Sequence, residues 1–315
     1  MEFKNFATET IRIRSFLNLA SIIFLMKEGS KPAVSIAIAT YREPKYVLKE
    51  AIESILQQSF KNFEFIIVLD DPNNKESENI IKSYRKTDKR IVFIKNKRNQ
   101  GFPASMNEAI KISRGKYFAI MGADDVSHKN RLDIQYKYME SHPETDFLSG
   151  QCRVINENGK VISGINPSNN VCNHSFNKKN MFRDAIFIDP LAFAKRSVLS
   201  KLMYDSVFLR SSDWDLWLRA INDYNFKVLP RLMLDYRVPG SFTIQERISR
   251  SKKDSYWSFR AVNKNFRLHF LNGWFIALYF RVFLRFVFFT LPTKVLYLIF
   301  KFHDFIFRKN KVVSE

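Results

Sequence analysis

Between residues 33 and 122 the chain alternates two kinds of apolar spacing. "AVSIAIAT" (33–40) is a short β-rich run with Val34, Ile36 and Ile38 on one side. "YVLKEAIESILQQ" (46–58) then sets Val47, Leu48, Ala51, Ile52, Ile55 and Leu56 at helical spacing. "FEFIIVLDD" (63–71) is a continuous apolar run of the sort a parallel sheet buries on both faces. "ESENIIKSYRK" predicts a helix and "RIVFIKN" (90–96) a third strand. "PASMNEAIKIS" (103–113) predicts a helix ended by Gly115, and "KYFAIMG" (116–122) a fourth strand.

Strand–helix alternation at this spacing predicts βαβ units and a parallel sheet. In such sheets ligands bind outside the carboxyl ends of the strands. Three of the four strands end in chemistry-bearing residues: Thr40-Tyr41-Arg42-Glu43, Asp70-Asp71 and Asp124-Asp125. Both aspartate pairs therefore fall on one rim and share a cleft. Beyond residue 150 the pattern loosens. Asn-rich loops (166–180) precede "FIDPLAFAKRSVL" and "SSDWDLWLRAINDYNFKVL" (211–229), with no internal repeat or low-complexity tract.

A chain of 315 residues, 46% hydrophobic, can bury a sizeable core, which excludes global disorder. Cys152 and Cys172 lack a CxxC partner, which argues against a zinc site or disulfide framework and fits a reducing cytoplasm. Charge changes the picture more. The net +20 favours a polyanionic partner, and half of it lies after Gln245, where 14 basic residues face four acidic ones. That tail is also the most aromatic part of the chain, so it suits an anionic membrane surface and no nucleic-acid partner is expected. Its most apolar stretch, 273–292, is interrupted by Arg281 and Arg285 and closed by Pro292, which predicts an interfacial helix rather than a span. The alternative is a helix packed on the main domain with its arginines on the wet side. The N-terminal "SFLNLASIIFLM" (15–26) follows Glu2 and Glu9 and lacks a cleavage site, so a short amphipathic helix is expected there rather than a signal segment.

Four stretches carry candidate chemistry. Two adjacent carboxylates at a strand end, Asp124 and Asp125, can hold a hard divalent cation together with waters and substrate phosphates; a solvated turn is the plainer alternative. In "SSDWDLWLRA", Ser212 at an N-cap with Asp215 three residues on has capping-box spacing. That leaves Asp213 in the first turn, where the helix dipole keeps a carboxylate ionised and suited to general-base work. Asp213 and Asp215, two apart, point to different sides. "NKRNQGFPASMNEAI" (96–110) places Gly101 at a helix start that can offer amides to phosphate. "DYRVPGSFT" (235–243) offers Arg237 as a further phosphate partner.

In order, these pieces resemble the family 2 glycosyltransferases, which use nucleotide sugars, over about Lys31 to Thr243. The resemblance rests on "VSIAIATYRE", "AIESILQQSFKNFEFIIVLDD", "NQGFPASMNEAIKISRGKYFAIMGADD" and "SSDWDLWLRA". It implies an α/β GT-A fold, with a Rossmann-like, mostly parallel central sheet flanked by helices and a C-terminal amphipathic helical extension. Residues 1–30 would be an N-terminal extension, 31–243 the transferase domain and 244–315 a membrane-associating tail. Residue by residue, it implies that Ala39, Thr40, Tyr41, Glu43 and Asp71 hold the nucleoside, with Gly101 and Arg237 on the nucleotide. Asp124 would touch ribose or metal, Asp125 would ligate Mn²⁺ or Mg²⁺, and Asp213 would take the proton from the acceptor hydroxyl. Ala39 stands where the family usually has proline, Gly122 replaces the first Asp of the longer acidic motif, and Ser212 replaces the Glu before the base.

The expected activity is inverting, metal-dependent transfer from a UDP- or dTDP-sugar to a glycan or lipid-linked oligosaccharide, for a surface polysaccharide, at the cytoplasmic side of the plasma membrane. A non-catalytic GT-A module at the membrane and a nucleotidyltransferase are the rival readings.

Overall fold

The structure is a computed structural model that describes residues 31–165, 175–184, 187–238, 240 and 243–312. The helix expected over 15–26 lies outside the described residues. Strand β1 (Val34–Thr40) pairs in parallel with β2 (Phe63–Leu69) on one side and β4 (Tyr117–Ile120) on the other, and β2 pairs in parallel with β3 (Ile91–Lys95). The connections are α1 (Lys45–Leu56), α2 (Lys75–Thr87) and α3 (Phe102–Ile112), and the strand order 3-2-1-4 is that of a doubly wound half.

The sheet does not stay parallel. The two-residue β5 (Val126–Ser127) follows β4, then α4 (Arg131–Ser141), β6 (Phe147–Ile155) and β7 (Val161–Ile165). Next come β8 (Ser175–Phe176), α5 (Lys178–Asp184) and a single 3₁₀ turn at Asp189–Leu191. Strand β9 (Phe193–Lys195) runs antiparallel to both β4 and β6, and so is a single reversed strand between two parallel halves of the same sense. After α6 (Arg196–Leu202) and α7 (Ser212–Ala220), β10 (Phe226–Arg237) returns parallel to β6. The full order is 3-2-1-4-9-6-10-5, with β7 on β6 and β8 on β10.

Period-two alternation sends β1 and β2 side chains to both faces. Val34, Ile36, Ile38, Phe65, Ile67 and Leu69 meet Leu48, Ala51, Ile52 and Ile55 of α1, Ile80 and Ile81 of α2 and Leu132 of α4. Ala37, Ile66 and Val68 turn the other way, onto Met106, Ala109 and Ile110 of α3 and Leu216, Trp217 and Ala220 of α7.

The C-terminal segment builds α8 (Ile244–Lys264), the short α9 (Phe266–His269), α10 (Gly273–Thr290) and α11 (Thr293–Val312). Val262 of α8 and Phe275, Leu278 and Val282 of α10 belong to the same core cluster as the α7 face of the sheet. The inner stripe of α10 is thus domain core. Its outer stripe is not polar: Phe280, Leu284, Val287 and Phe288 are exposed. Arg281 and Arg285 are both exposed, as the packed alternative expects; Arg281 donates to the Phe182 carbonyl at 3.1 Å and Arg285 sits over Phe289.

Candidate active site

Strand tips β1, β2 and β4 bring their polar residues to one rim. At the end of β1, Glu43 Oε2 accepts the Thr40 hydroxyl and the Tyr41 amide (2.8 Å), which curls residues 40–43 over the tip, while Ala39 is the last partly open position of the strand. Arg42 Nε donates to Asp71 Oδ2 at 3.0 Å, and the Asn73 amide donates to Asp71 Oδ1. The guanidinium and that amide hold the Asp71 carboxyl below its ordinary range, so it is ionised at neutral pH.

Beyond β4 the chain turns through Gly122-Ala123 into the acidic pair. A Cβ at Gly122 would stand 2.5 Å from Asp125 Oδ2 and 2.8 Å from Asp124 Oδ1, so both carboxylates fold over the bare backbone and converge on one spot. Asp125 is 1% exposed; its Oδ1 accepts the Arg237 amide at 2.9 Å, and its Oδ2 has no hydrogen-bond partner. Burial, with the neighbouring Asp124 charge, pushes Asp125 up to about 8. Burial raises Asp124 too, and Glu43 adds to the effect. Behind the pair, the fully buried Arg131 donates to the Ile120 carbonyl (2.7 Å) and to Gln135, and burial pulls it down to about 9 against the opposing charge of Asp125.

A buried, orphaned carboxylate oxygen beside a second carboxylate fits a bound cation. Among the described residues no three His, Cys, Asp or Glu side chains gather as a metal cage. The pair thus suits an ion that takes its remaining ligands from water and phosphate, as Mg²⁺ and Mn²⁺ sites on diphosphates do.

Asp213 enters from α7. Ser211 precedes it as the N-cap in the left-handed region (φ 57°), an uncommon conformation for a residue with a side chain, and makes no side-chain cap. The capping box expected from Ser212 and Asp215 does not form. Asp215, fully buried, turns inward instead and accepts from Arg219 (2.9 Å), Lys264 (2.8 Å) and Asn265 (3.1 Å). Asp213 points the other way, as the two-residue offset requires. The dipole does not dominate its ionisation either: burial raises Asp213 above the usual carboxylate range, although its own amide and that of Trp214 oppose the shift. The phenol of Tyr236 in β10 feels Asp125, Asp124 and Asp213 together and, first through burial, is pushed up to about 12. The three acids are thus within electrostatic reach of one side chain near the end of β10.

Two expected phosphate donors are spent inside the protein. The Gln100 and Gly101 amides donate to Asp70 (2.9 and 2.8 Å), so an internal carboxylate takes the place foreseen for a ligand at the start of α3. Arg237, 5% exposed, gives its guanidinium to the carbonyls of Asp124 (2.7 Å), Asn156 and Glu157 and to Glu50. It braces the acidic turn rather than offering itself to phosphate.

Sequence spacing missed Asp189 and Tyr204. Asp189 is buried; its Oδ1 accepts the Tyr204 hydroxyl at 2.8 Å, and burial, followed by the charge of Asp213, raises it well above the carboxylate range. Asn107 pins Tyr204 by bonding its amide and its carbonyl (2.9 and 2.8 Å). The only sequence trace of this cluster is a carboxylate set between apolar residues in "FIDPL".

Residues 35–203 match the glycosyl transferase family 2 profile. The uncharacterized glycosyltransferase MJ1057 of Methanocaldococcus jannaschii is 42% identical over 286 residues, covering 89% of this chain and 97% of that protein. The O-antigen biosynthesis glycosyltransferase WbnJ of Escherichia coli is 30% identical over 226 residues, 71% of this chain and 86% of that one. Among solved structures, S. aureus TarS residues 1–349 in complex with UDP superposes with TM-score 0.54 at 17% identity, over 71% of this chain and 64% of that chain. The same fragment with UDP-GlcNAc gives 0.56 at 16% identity, over 73% of this chain and 65% of that one. The chain thus spans just under two thirds of the solved fragments it superposes on.

Proposed function

The chain belongs to glycosyl transferase family 2 and is a glycosyltransferase of the GT-A fold, and from that premise we propose that it transfers a sugar, with inversion, from a nucleotide sugar to a hydroxyl of a glycan or lipid-linked acceptor. The observation that carries this reading is the convergence of Asp124 and Asp125 over Gly122, with one buried oxygen left unpartnered, next to the partly buried Asp213. The curled β1 tip, Ala39 to Glu43, and the ionised Asp71 form the nucleoside end of the cleft. Gly101 and Arg237 support the site from behind, through Asp70 and through the acidic turn. The UDP and UDP-GlcNAc complexes of TarS favour a uridine-linked donor.

Asp125 and Asp124 would hold Mn²⁺ or Mg²⁺, which neutralises charge on a departing nucleoside diphosphate. Asp213 takes the proton of the acceptor hydroxyl as that oxygen bonds to the anomeric carbon and the bond from that carbon to the diphosphate oxygen breaks. Its raised affinity for a proton brings it nearer the range in which a general base works at neutral pH.

The basic, aromatic C-terminal helices would rest peripherally on an anionic membrane surface at its cytoplasmic side, which suits a lipid-linked acceptor in surface polysaccharide synthesis. By length and composition α10 is apolar enough to cross a bilayer. The burial of Phe275, Leu278 and Val282 in the domain core argues that it lies along the surface instead.

The test is release of nucleoside diphosphate from a panel of UDP-, dTDP- and GDP-sugars with and without Mn²⁺. One donor is expected to turn over, chelation and Asp125→Ala to abolish release, and Asp213→Asn to lower kcat by about 10²–10⁴-fold. Release that ignores metal and survives Asp125→Ala would overturn the reading, and pyrophosphate as product would assign a nucleotidyltransferase.

A further inference from the structure

Of the 22 large hydrophobic side chains exposed among the described residues, 14 fall between Leu268 and Phe302. Three of them lie in α9 and the turn that leads to α10: Leu268, Phe270 and Leu271, the last 88% exposed. The turn is held firmly. His269 is buried, bonds the Leu218 carbonyl at 2.8 Å and packs against Phe182 and Phe275. The Asn272 amide donates to the His269 carbonyl at 2.8 Å, and the Asn272 side chain caps α10 through the Trp274 and Phe275 amides. A rigid base that lifts Leu271 into solvent lowers the ordering cost of inserting it into something apolar.

Beside this turn is a hollow of about 390 Å³, lined by Lys178 and Asn222 and by residues 267–272 of α9 and the turn. Its charged lining residues are Lys178 and Arg267, with no acid among them, and neither cation has an ion-pair partner among the described residues. The hollow adjoins a wider depression through Lys178, Asn222 and Asn272, which adds Lys179, Lys227 and the half-exposed Trp274, against Glu144 and Asp223. Trp274 carries Lys179 over its ring at 5.0 Å. Apolar prongs on a cationic, acid-free hollow, with an indole at its edge, match the boundary between headgroups and acyl chains.

We propose that the α9–α10 turn is a membrane anchor: the hollow takes the phosphate of an anionic phospholipid between Lys178 and Arg267, while Phe270 and Leu271 enter the acyl region. This rests on the membrane-docking reading above and gives that docking a definite point of entry, at the start of the apolar outer stripe of α10. Two cations near an anionic surface contribute on the order of a few tens-fold in binding.

The experiment is flotation of the full chain with vesicles of phosphatidylcholine alone and with added phosphatidylglycerol. The arms compare wild type, Lys178→Glu with Arg267→Glu, Leu271→Glu, and Phe280→Ser with Leu284→Ser on the outer stripe. Lys178→Gln with Arg267→Gln and Leu271→Ser serve as milder forms, and circular dichroism checks folding. The neutralised pair Lys178→Gln with Arg267→Gln is expected to lose roughly thirtyfold in binding to anionic vesicles, the charge-reversed pair more than that, and Leu271→Glu to weaken binding to both kinds. Turnover on a water-soluble acceptor stays unchanged in all three. If wild type binds neither vesicle, the docking reading itself falls and the anchor with it. If wild type binds and only Phe280→Ser with Leu284→Ser weakens it, docking stands and the anchor is overturned. If inorganic phosphate binds wild type but not the charge-reversed pair, while vesicle binding is equal in the two, the hollow serves a free anion and the lipid assignment fails.

Discussion

Gly122 is the position on which the acidic pair depends. A methyl group there would meet both carboxylates inside 3.0 Å, so Gly122→Ala must push Asp124 and Asp125 apart. Turnover is expected to fall by about 10²-fold, the usual cost of an ångström-scale misplacement, with little change in the thermal midpoint. Asp125 also sets a pH dependence. Its folded value of about 8 lies above the ordinary 3.8, so the folded state binds the proton more tightly than the unfolded one. The stability this gives is complete below the ordinary value and is lost as pH rises towards 8. Without metal, the thermal midpoint should therefore fall across that window, Mn²⁺ should restore it at the alkaline end, and Asp125→Asn should flatten the slope. At this scale the sequence was half legible. Carboxylates at strand ends announced themselves, because nothing in a core accommodates them unpaired. Gly101 and Arg237 misled, because spacing shows a donor but not the internal acceptor, Asp70 or a backbone carbonyl, that takes it.

Element by element, β1 to β4 and their helices fell within a few residues of where the apolar periods put them, since each is read from its own local pattern. The reversal at β9 was not legible. Three residues carry no period, and their direction is set by partners far away in sequence. The α7 start was misjudged for a related reason: the acid at the capping-box position is recruited by Lys264 and Asn265, some fifty residues on. This tie yields a prediction. Asp215→Ala leaves Arg219 and Lys264 without their shared carboxylate and removes the brace on the Arg219 guanidinium that donates to the Leu202 and Met203 carbonyls. A loss of about 2–4 kcal/mol in a denaturant titration is expected, since the abandoned charges are part-exposed rather than fully buried.

For the whole molecule, the apparent tail proves to be structure. Val262, Phe275, Leu278 and Val282 close the core over α7, so a chain ended at Thr243 should be insoluble when expressed, as judged by its absence from the soluble fraction. Phe280→Ser with Leu284→Ser, on the outer stripe, should leave the unfolding midpoint within about 0.5 kcal/mol of wild type and reduce aggregation in light scattering. Composition foretold the basic, aromatic character of this region. It could not foretell that one stripe of α10 is core and the opposite stripe bare, because both are equally apolar in sequence.

Because α10 and α7 share one core, the bare outer stripe of α10 and Asp213 of α7 are carried on the same packed unit. Seated on a bilayer, it would work as a gauge of fixed height. Hydroxyls presented at the level of Asp213 would be glycosylated, and those held nearer to or farther from the lipid would be passed over, so the length of the growing chain would itself select where the next sugar goes.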